Sequence, residues 1–113
     1  MTTPDRAPDT GAATRPKREQ KRRILPPYNV VLENDDYHSF SFVVEVLCKV
    51  LGCSLSRAYS LTLQAHLTGR AVVWTGPKEV AELKKEQIQS YHEVRSGDQR
   101  KLGPLGCFIE PAP

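Results

Sequence analysis

No apolar run in this 113-residue chain approaches the ~18 residues of a membrane-spanning helix. Its first residues contain no apolar core of the kind that drives secretion, so no signal peptide is expected. Cysteine is scarce: Cys48, Cys53 and Cys107 form no CxxC pair and no zinc-ligand spacing. An odd number of thiols without an export signal points to reduced cysteines and a cytoplasmic location. The motifs of covalent and nucleotide chemistry are missing too, with no GxSxG, HExxH, Walker loop or GxGxxG. His38, His66 and His92 share no metal-ligand spacing. Asp35 and Asp36 are adjacent on a loop, where neighbouring side chains usually point apart, and no nucleophile stands with a base. The expectation is a protein that is not an enzyme and needs neither cofactor nor metal.

What remains is an ordinary globular composition, 39% hydrophobic and 26% charged. The length allows one domain with a modest core. The net charge of +3 is uneven, because residues 1–25 hold seven Lys/Arg against three Asp/Glu. Residues 26–113 hold nine against ten, so the basic excess belongs to the tail. That tail is rich in Thr, Pro, Ala, Asp and Gly and too poor in apolar residues to offset its ordering entropy, so it reads as disordered. Its cluster Lys17-Arg18-Glu19-Gln20-Lys21-Arg22-Arg23 suits phosphates or an acidic protein, and equally suits a solvated tail. Pro26-Pro27 marks the entry to the domain, residues 26–113.

The domain alternates in type. Residues 28–33 form a β-branched strand. Phe40, Val43, Val44, Val46, Leu47, Val50 and Leu51 give a helix with a wide apolar face, capped by Ser39 or Ser41 and stopped by Gly52. Ser54 opens a second helix over 55–68, packing through Ala58, Leu61, Ala65 and Leu67 and ended by Gly69. Ala71-Val72-Val73-Trp74 is the second strand. Gly76-Pro77 opens a third helix, with apolar contacts at Val80, Leu83, Ile88, Tyr91 and Val94, running to about residue 95. A loop over 96–103 precedes the last strand, 105–110, which Pro111 stops. The order β-α-α-β-α-β predicts an α/β (α+β) sandwich: a small three-stranded sheet packed on three helices.

The most informative segment is Glu33-Asn34-Asp35-Asp36-Tyr37-His38, which follows the first strand. Asn, Asp and His together offer acceptors for a small cation such as an amine. If the fold returns His66 to this loop, the chain has a compact amine-reading corner beside an apolar surface. The same residues also suit a turn closed by local Asx bonds and a helix histidine bonded to nearby backbone. From the residues alone both readings stand.

From Tyr28 to Glu110 the sequence resembles the ClpS adaptor family, small bacterial and plastid proteins that recognise N-terminal residues and pass substrates to a Clp protease. The resemblance rests on Val31-Leu32-Glu33-Asn34-Asp35-Asp36-Tyr37, Phe42-Val43-Val44-Glu45-Val46-Leu47, Arg57-Ala58, His66 with Gly69, Glu79-Val80-Ala81-Glu82-Leu83-Lys84 and Pro104-Leu105-Gly106-Cys107-Phe108-Ile109-Glu110-Pro111. It implies the same sandwich. It also implies that Asn34, Asp35 and His66 bind a free α-amino group, with Asp36 and His38 nearby on the loop. The family's side-chain pocket maps to Phe40, Val43, Thr62, Ala65 and Leu105. The implied ligands are protein N-termini beginning with Phe, Tyr, Trp or Leu, and the implied partner is a ClpA or ClpC type AAA+ unfoldase. Neither a nucleic acid nor a membrane is expected as a partner.

The chain departs from the family pattern in several places. His38-Ser39-Phe40 stands where the family typically has Thr-Pro-Met, and Thr62 and Ala65 stand for a typical Met and Val. Trp74-Thr75-Gly76-Pro77 replaces a Gly-x-Phe-Thr type turn, and the loop before the last strand is longer. The amine-reading residues are thus retained while the pocket wall is altered. Two rival readings are a relative of the ribosomal stalk C-terminal domain with another protein partner, and a nucleic-acid module acting through the basic tail.

Overall fold

In the computed structural model the described residues are 25–113, so apart from Leu25 the tail lies outside them. Strand β1, Tyr28–Glu33, leads into helix α1, Phe40–Leu51, and helix α2, Leu55–Thr68. Strand β2, Arg70–Gly76, helix α3, Lys78–Gln89, and strand β3, Cys107–Pro111, complete the order. The sheet order is β2-β1-β3 and both pairings are antiparallel. This is the expected small three-stranded sheet with three helices.

Local chemistry sets most boundaries. Ser39 and Ser54 have extended backbones, and their hydroxyls accept from Phe42 N and Arg57 N, satisfying free N–H groups of the first turns of α1 and α2. Gly52 and Gly69 end these helices at φ 66° and 95°, left-handed conformations that side chains with a Cβ rarely adopt. Gly76 is needed for a different reason: a Cβ there would collide with the Trp74 ring.

The core gathers Val30 and Leu32 from β1, Ala71 and Val73 from β2 and Cys107 from β3. Against them pack Val43, Val44, Val46, Leu47 and Val50 of α1, Ala58, Leu61 and Ala65 of α2, and Ala81 and Ile88 of α3. Val30 pairs with Trp74 and Val31 with Val72, which leaves Val73 unpaired in a bulge.

Several expectations are corrected. Leu67 is 71% exposed, and Thr62 takes its place in the core face of α2. The buried set 58, 61, 62 and 65 follows the three-and-four spacing of one helical face, and Leu67 falls off it. Helix α3 ends at Gln89, not near 95, and Pro77 is its N-cap. Val80, Leu83 and Val94 are largely exposed, and the core contacts of α3 are Ala81 and Ile88. Val94 instead bridges Lys101 in a short hairpin, where Leu102 N donates to Glu93 O and Arg95 N to Arg100 O, both at 2.8 Å. Strand β2 runs beyond the expected four residues, and β3 begins two residues late and pairs through Pro111 with Tyr28.

Candidate functional site

Three chain ends meet at one edge of the fold: the end of β1, the start of α1 and the end of α2. Asn34 N donates to Gly69 O at 3.0 Å, which ties the loop after β1 to the stop of α2. That bond brings Asn34 beside His66, 32 residues away in sequence and in the last turn of α2. A cavity of about 260 Å³ opens there, and its lining contains every site residue expected from the sequence. The polar side is Asn34, Asp35, Asp36, His38 and His66, and the apolar side is Phe40, Val43, Thr62, Ala65 and Leu105. Leu32 and Glu33, which were not expected among the site residues, complete the lining.

The polar groups differ in how far the chain itself uses them. Tyr37 N and His38 N donate to Asp35 Oδ1 at 2.9 and 2.8 Å, closing an Asx turn. The His38 ring donates from Nδ1 to Asp35 Oδ2 at 2.9 Å. An ionised carboxylate has about four lone-pair sites. Three are filled, and one on Oδ2 is left. Burial alone would raise the Asp35 carboxyl, but the backbone N–H groups of His38 and Tyr37, joined by the His38 ring, outweigh it and hold the acid below its ordinary value. Asp35 is therefore an anion with one open position.

Asn34 and His66 are exposed, and their side chains hydrogen-bond to none of the described residues. The local-turn reading of the sequence is thus correct for Asp35, whereas the backbone-bonded reading of His66 is not what the structure contains. No lysine or arginine lines the cavity among the described residues, while Glu33, Asp35 and Asp36 all do. The C-terminal end of α2 adds the negative end of its dipole. The corner thus collects open acceptors and negative charge, which is the chemistry a small cation would pair with.

The wall is shaped by Thr62, which is buried and donates from Oγ1 to Ala58 O at 2.8 Å. Its hydroxyl proton is committed, so Thr62 offers the cavity no free donor. Phe40 also lines the cavity, tilted against Tyr59 with ring centroids 5.0 Å apart. Its other side borders a shallow groove containing Val44, Cys48, Leu55 and Tyr59. Among the described residues no cluster of three or more His, Cys, Asp or Glu is arranged to hold a metal, and no helix is long and apolar enough to cross a membrane.

The family model "ATP-dependent Clp protease adaptor protein ClpS" matches residues 23–107. A protein of Pectobacterium carotovorum subsp. carotovorum named ATP-dependent Clp protease adapter protein ClpS is 40% identical over 96 residues, covering 83% of this chain and 85% of that one. A Nostoc protein of the same name is 39% identical over 83 residues, covering 71% and 86%. Among solved structures, Agrobacterium tumefaciens ClpS2 bound to L-phenylalaninamide superposes with a TM-score of 0.64 at 31% identity, covering 77% of this chain and 98% of that one.

Proposed function

The chain belongs to the ClpS family of Clp protease adaptor proteins, and from that premise we propose that it binds the free N-terminal residue of proteins that begin with a large hydrophobic side chain. One observation carries this reading: among the described residues Asn34, His66 and the last lone pair of Asp35 are uncommitted around a single cavity that also has a largely apolar side at Phe40, Val43, Thr62, Ala65 and Leu105. An ammonium has three N–H donors. Asn34 Oδ1, Asp35 Oδ2 and an unprotonated ring nitrogen of His66 supply three acceptors. Bonds to an ionised donor are about twice as strong as neutral ones. An acetylated or peptide-bonded nitrogen offers one hydrogen at most and no charge, so it leaves the corner unpaired.

The first side chain then enters between Phe40, Val43, Thr62, Ala65 and Leu105. The cavity, about 260 Å³, is smaller than the roughly 300–1,000 Å³ of sites for drug-sized ligands, which suits one side chain. Burying that side chain contributes about 1.5–3 kcal/mol. Phe40 offers a ring face for aromatic contact, and Thr62 and Ala65 leave room opposite. Phe, Tyr and Trp are therefore preferred to Leu. The ligand named for the Agrobacterium structure, an aromatic amino-acid amide with a free amine, has both features this site is built to read.

Substrates held in this way are delivered to a ClpA or ClpC type unfoldase, with residues 1–25 acting in the transfer and residues 26–113 acting as the receptor. The receptor step is tested by a panel of otherwise identical peptides beginning with Phe, Tyr, Trp, Leu, Ile or Val, each free and acetylated. Binding confined to the free forms, with aromatics tightest, is expected. Equal affinity for free and acetylated peptides would falsify the reading. Deleting residues 1–25 separates the two steps, since it should leave peptide binding unchanged while stopping degradation.

A further inference from the structure

The His38 side chain touches both Asp35 in the polar corner and Gly103 on the segment that leads to the apolar wall. Its ring is almost wholly enclosed, with 5% of the side chain exposed. Phe42 stacks on it at 5.6 Å between centroids and 18° between planes. Nδ1 faces Asp35 Oδ2 at 2.9 Å and Nε2 faces Gly103 O at 2.8 Å. A backbone carbonyl only accepts, and so does an ionised carboxylate. A neutral imidazole has one N–H and would set a lone pair against one of these oxygens. The doubly protonated ring satisfies both.

The neighbouring residue bonds to the same hairpin. Ser39 N and Oγ donate to the two carboxylate oxygens of Glu93 at 2.9 and 2.6 Å. The hairpin is closed by its own bonds, with the His92 ring donating from Nδ1 to Leu102 O at 2.9 Å. Two residues beyond Gly103 the chain reaches Leu105, a wall of the cavity. Leu105 O and Cys107 O are held in turn by Gln89 Nε2 at 3.0 and 3.3 Å. His38, Ser39 and the lengthened loop are places where this chain departs from the family pattern. In the fold they meet, because His38 and Ser39 tie the base and the end of this hairpin, at Glu93 and Gly103, to the loop before α1. The charged and titratable groups around the ring are Asp35 on its own loop, Glu93 at the base of the hairpin, and Glu33, Asp36 and His66 around the cavity.

Building on the amine-binding reading above, we propose that His38 is a positioning residue for N-terminal recognition, which as an imidazolium holds the Asp35 carboxylate for the ligand ammonium and fastens the hairpin that carries Leu105. Both of its ring nitrogens are taken by Asp35 and Gly103, so it acts on the ligand amine through Asp35. It orients Oδ2 so that its remaining lone pair faces the cavity, and it couples the polar corner to the apolar wall.

The direct test is nitrogen-15 NMR of the histidine rings in the intact, ligand-free protein at neutral pH. Both ring nitrogens of His38 are expected to carry hydrogen. A neutral ring, with one nitrogen bare, would overturn the proposal. This readout needs neither a variant nor a ligand. A second arm compares His38→Gln with the natural protein on a Phe-initiated peptide, free and acetylated. A glutamine amide cannot donate at both ends of the span, so affinity for the free peptide should fall about tenfold. The weak binding of the acetylated peptide should fall less, because it lacks the charge that Asp35 reads and loses only the fastening of Leu105. Unchanged discrimination in His38→Gln sinks the positioning role and leaves the amine reading intact. If the natural protein itself fails to distinguish the two peptides, the amine reading fails, and the ring spectrum still decides the state of His38.

Discussion

Two polar clusters in this protein are each built around an Asn and an acid and have opposite fates. On the sheet, Asn29 Oδ1 accepts from Thr75 Oγ1 at 2.7 Å, Asn29 Nδ2 reaches Glu110 Oε2 at 3.5 Å, and Arg70 donates to that same oxygen at 2.8 Å. Every member finds a partner inside the chain. At the end of α2, Asn34 and His66 find none among the described residues, and Asp35 keeps one position open beside a cavity. An Asn and an acid that satisfy each other hold strands in register. An Asn, an acid and a His that do not are free, in the proposed reading, to take a donor from outside. Chemical type alone does not separate structure from site, whereas the count of unfilled positions does.

The comparison is broken most severely by removing charge from the corner. Acetylating the ligand takes away several bonds to a charged donor, each worth about 1.5–3 kcal/mol. Asn34→Ala and His66→Ala should each remove one such bond, weakening a Phe-initiated peptide by about that amount while the melting temperature hardly changes. Titration calorimetry and thermal denaturation on the same variants check both halves. An Asn34→Ala variant that melts early but binds normally would place Asn34 with the sheet cluster.

The wall responds less. Thr62→Met with Ala65→Val restores bulk to one side of the cavity, and overpacking costs about 1–3 kcal/mol. Aromatic first residues should lose most and Leu least in the peptide panel. An unchanged ranking would remove both positions from the pocket.

On the sheet the effects should fall on stability alone. Asn29→Ala leaves the buried side of the network unpaired and is expected to cost about 1–3 kcal/mol of folding free energy, read from denaturant unfolding. Peptide affinity should not move. Glu110→Gln should have the smallest effect. The Arg70 guanidinium holds that carboxyl below its ordinary value, but the pair is solvent-screened.

Acid titration separates the clusters again. Asp35 is lowered from 3.8, so the stability it contributes is complete above pH about 4 and is lost as pH falls through the lower, folded-state value. Asp35→Asn should therefore be less stable than the natural protein at neutral pH, and the gap should close in acid. A gap that widens in acid would contradict the sign. The cysteines offer a quieter control on the core. Burial pushes the Cys107 thiol up to about 12, so at pH 8 native alkylation should modify the half-buried Cys48 and Cys53 first.

How much of this was legible in the residues depends on distance. The caps at Ser39, Gly52, Ser54 and Gly69 are local chemistry, and the structure follows them. The end of α3 carries no such mark. Tyr91 and Val94 extend the apolar period past Gln89, and only the bonds from Ser90 N and Oγ to Gln87 O show where the helix stops. Leu67 is apolar but lies off the face that Ala58, Leu61, Thr62 and Ala65 define, so counting hydrophobic residues misplaced it. The cavity lining was anticipated because the family resemblance supplied contacts that spacing cannot. His38 shows the limit. It differs visibly from the family pattern, yet its role depends on Gly103, 65 residues further along.

The central claim is that the corner at Asn34, Asp35 and His66, and not the cluster at Asn29, is the open one. It is tested most directly by titrating the protein with L-phenylalaninamide while following the Asn34 and Asn29 side-chain amides and the His66 ring by NMR. The Asn34 and His66 signals should shift saturably, the Asn29 signal should stay, and N-acetyl-L-phenylalaninamide should produce neither shift. If Asn34 and His66 do not respond, or respond equally to the acetylated compound, the amine-binding account is wrong.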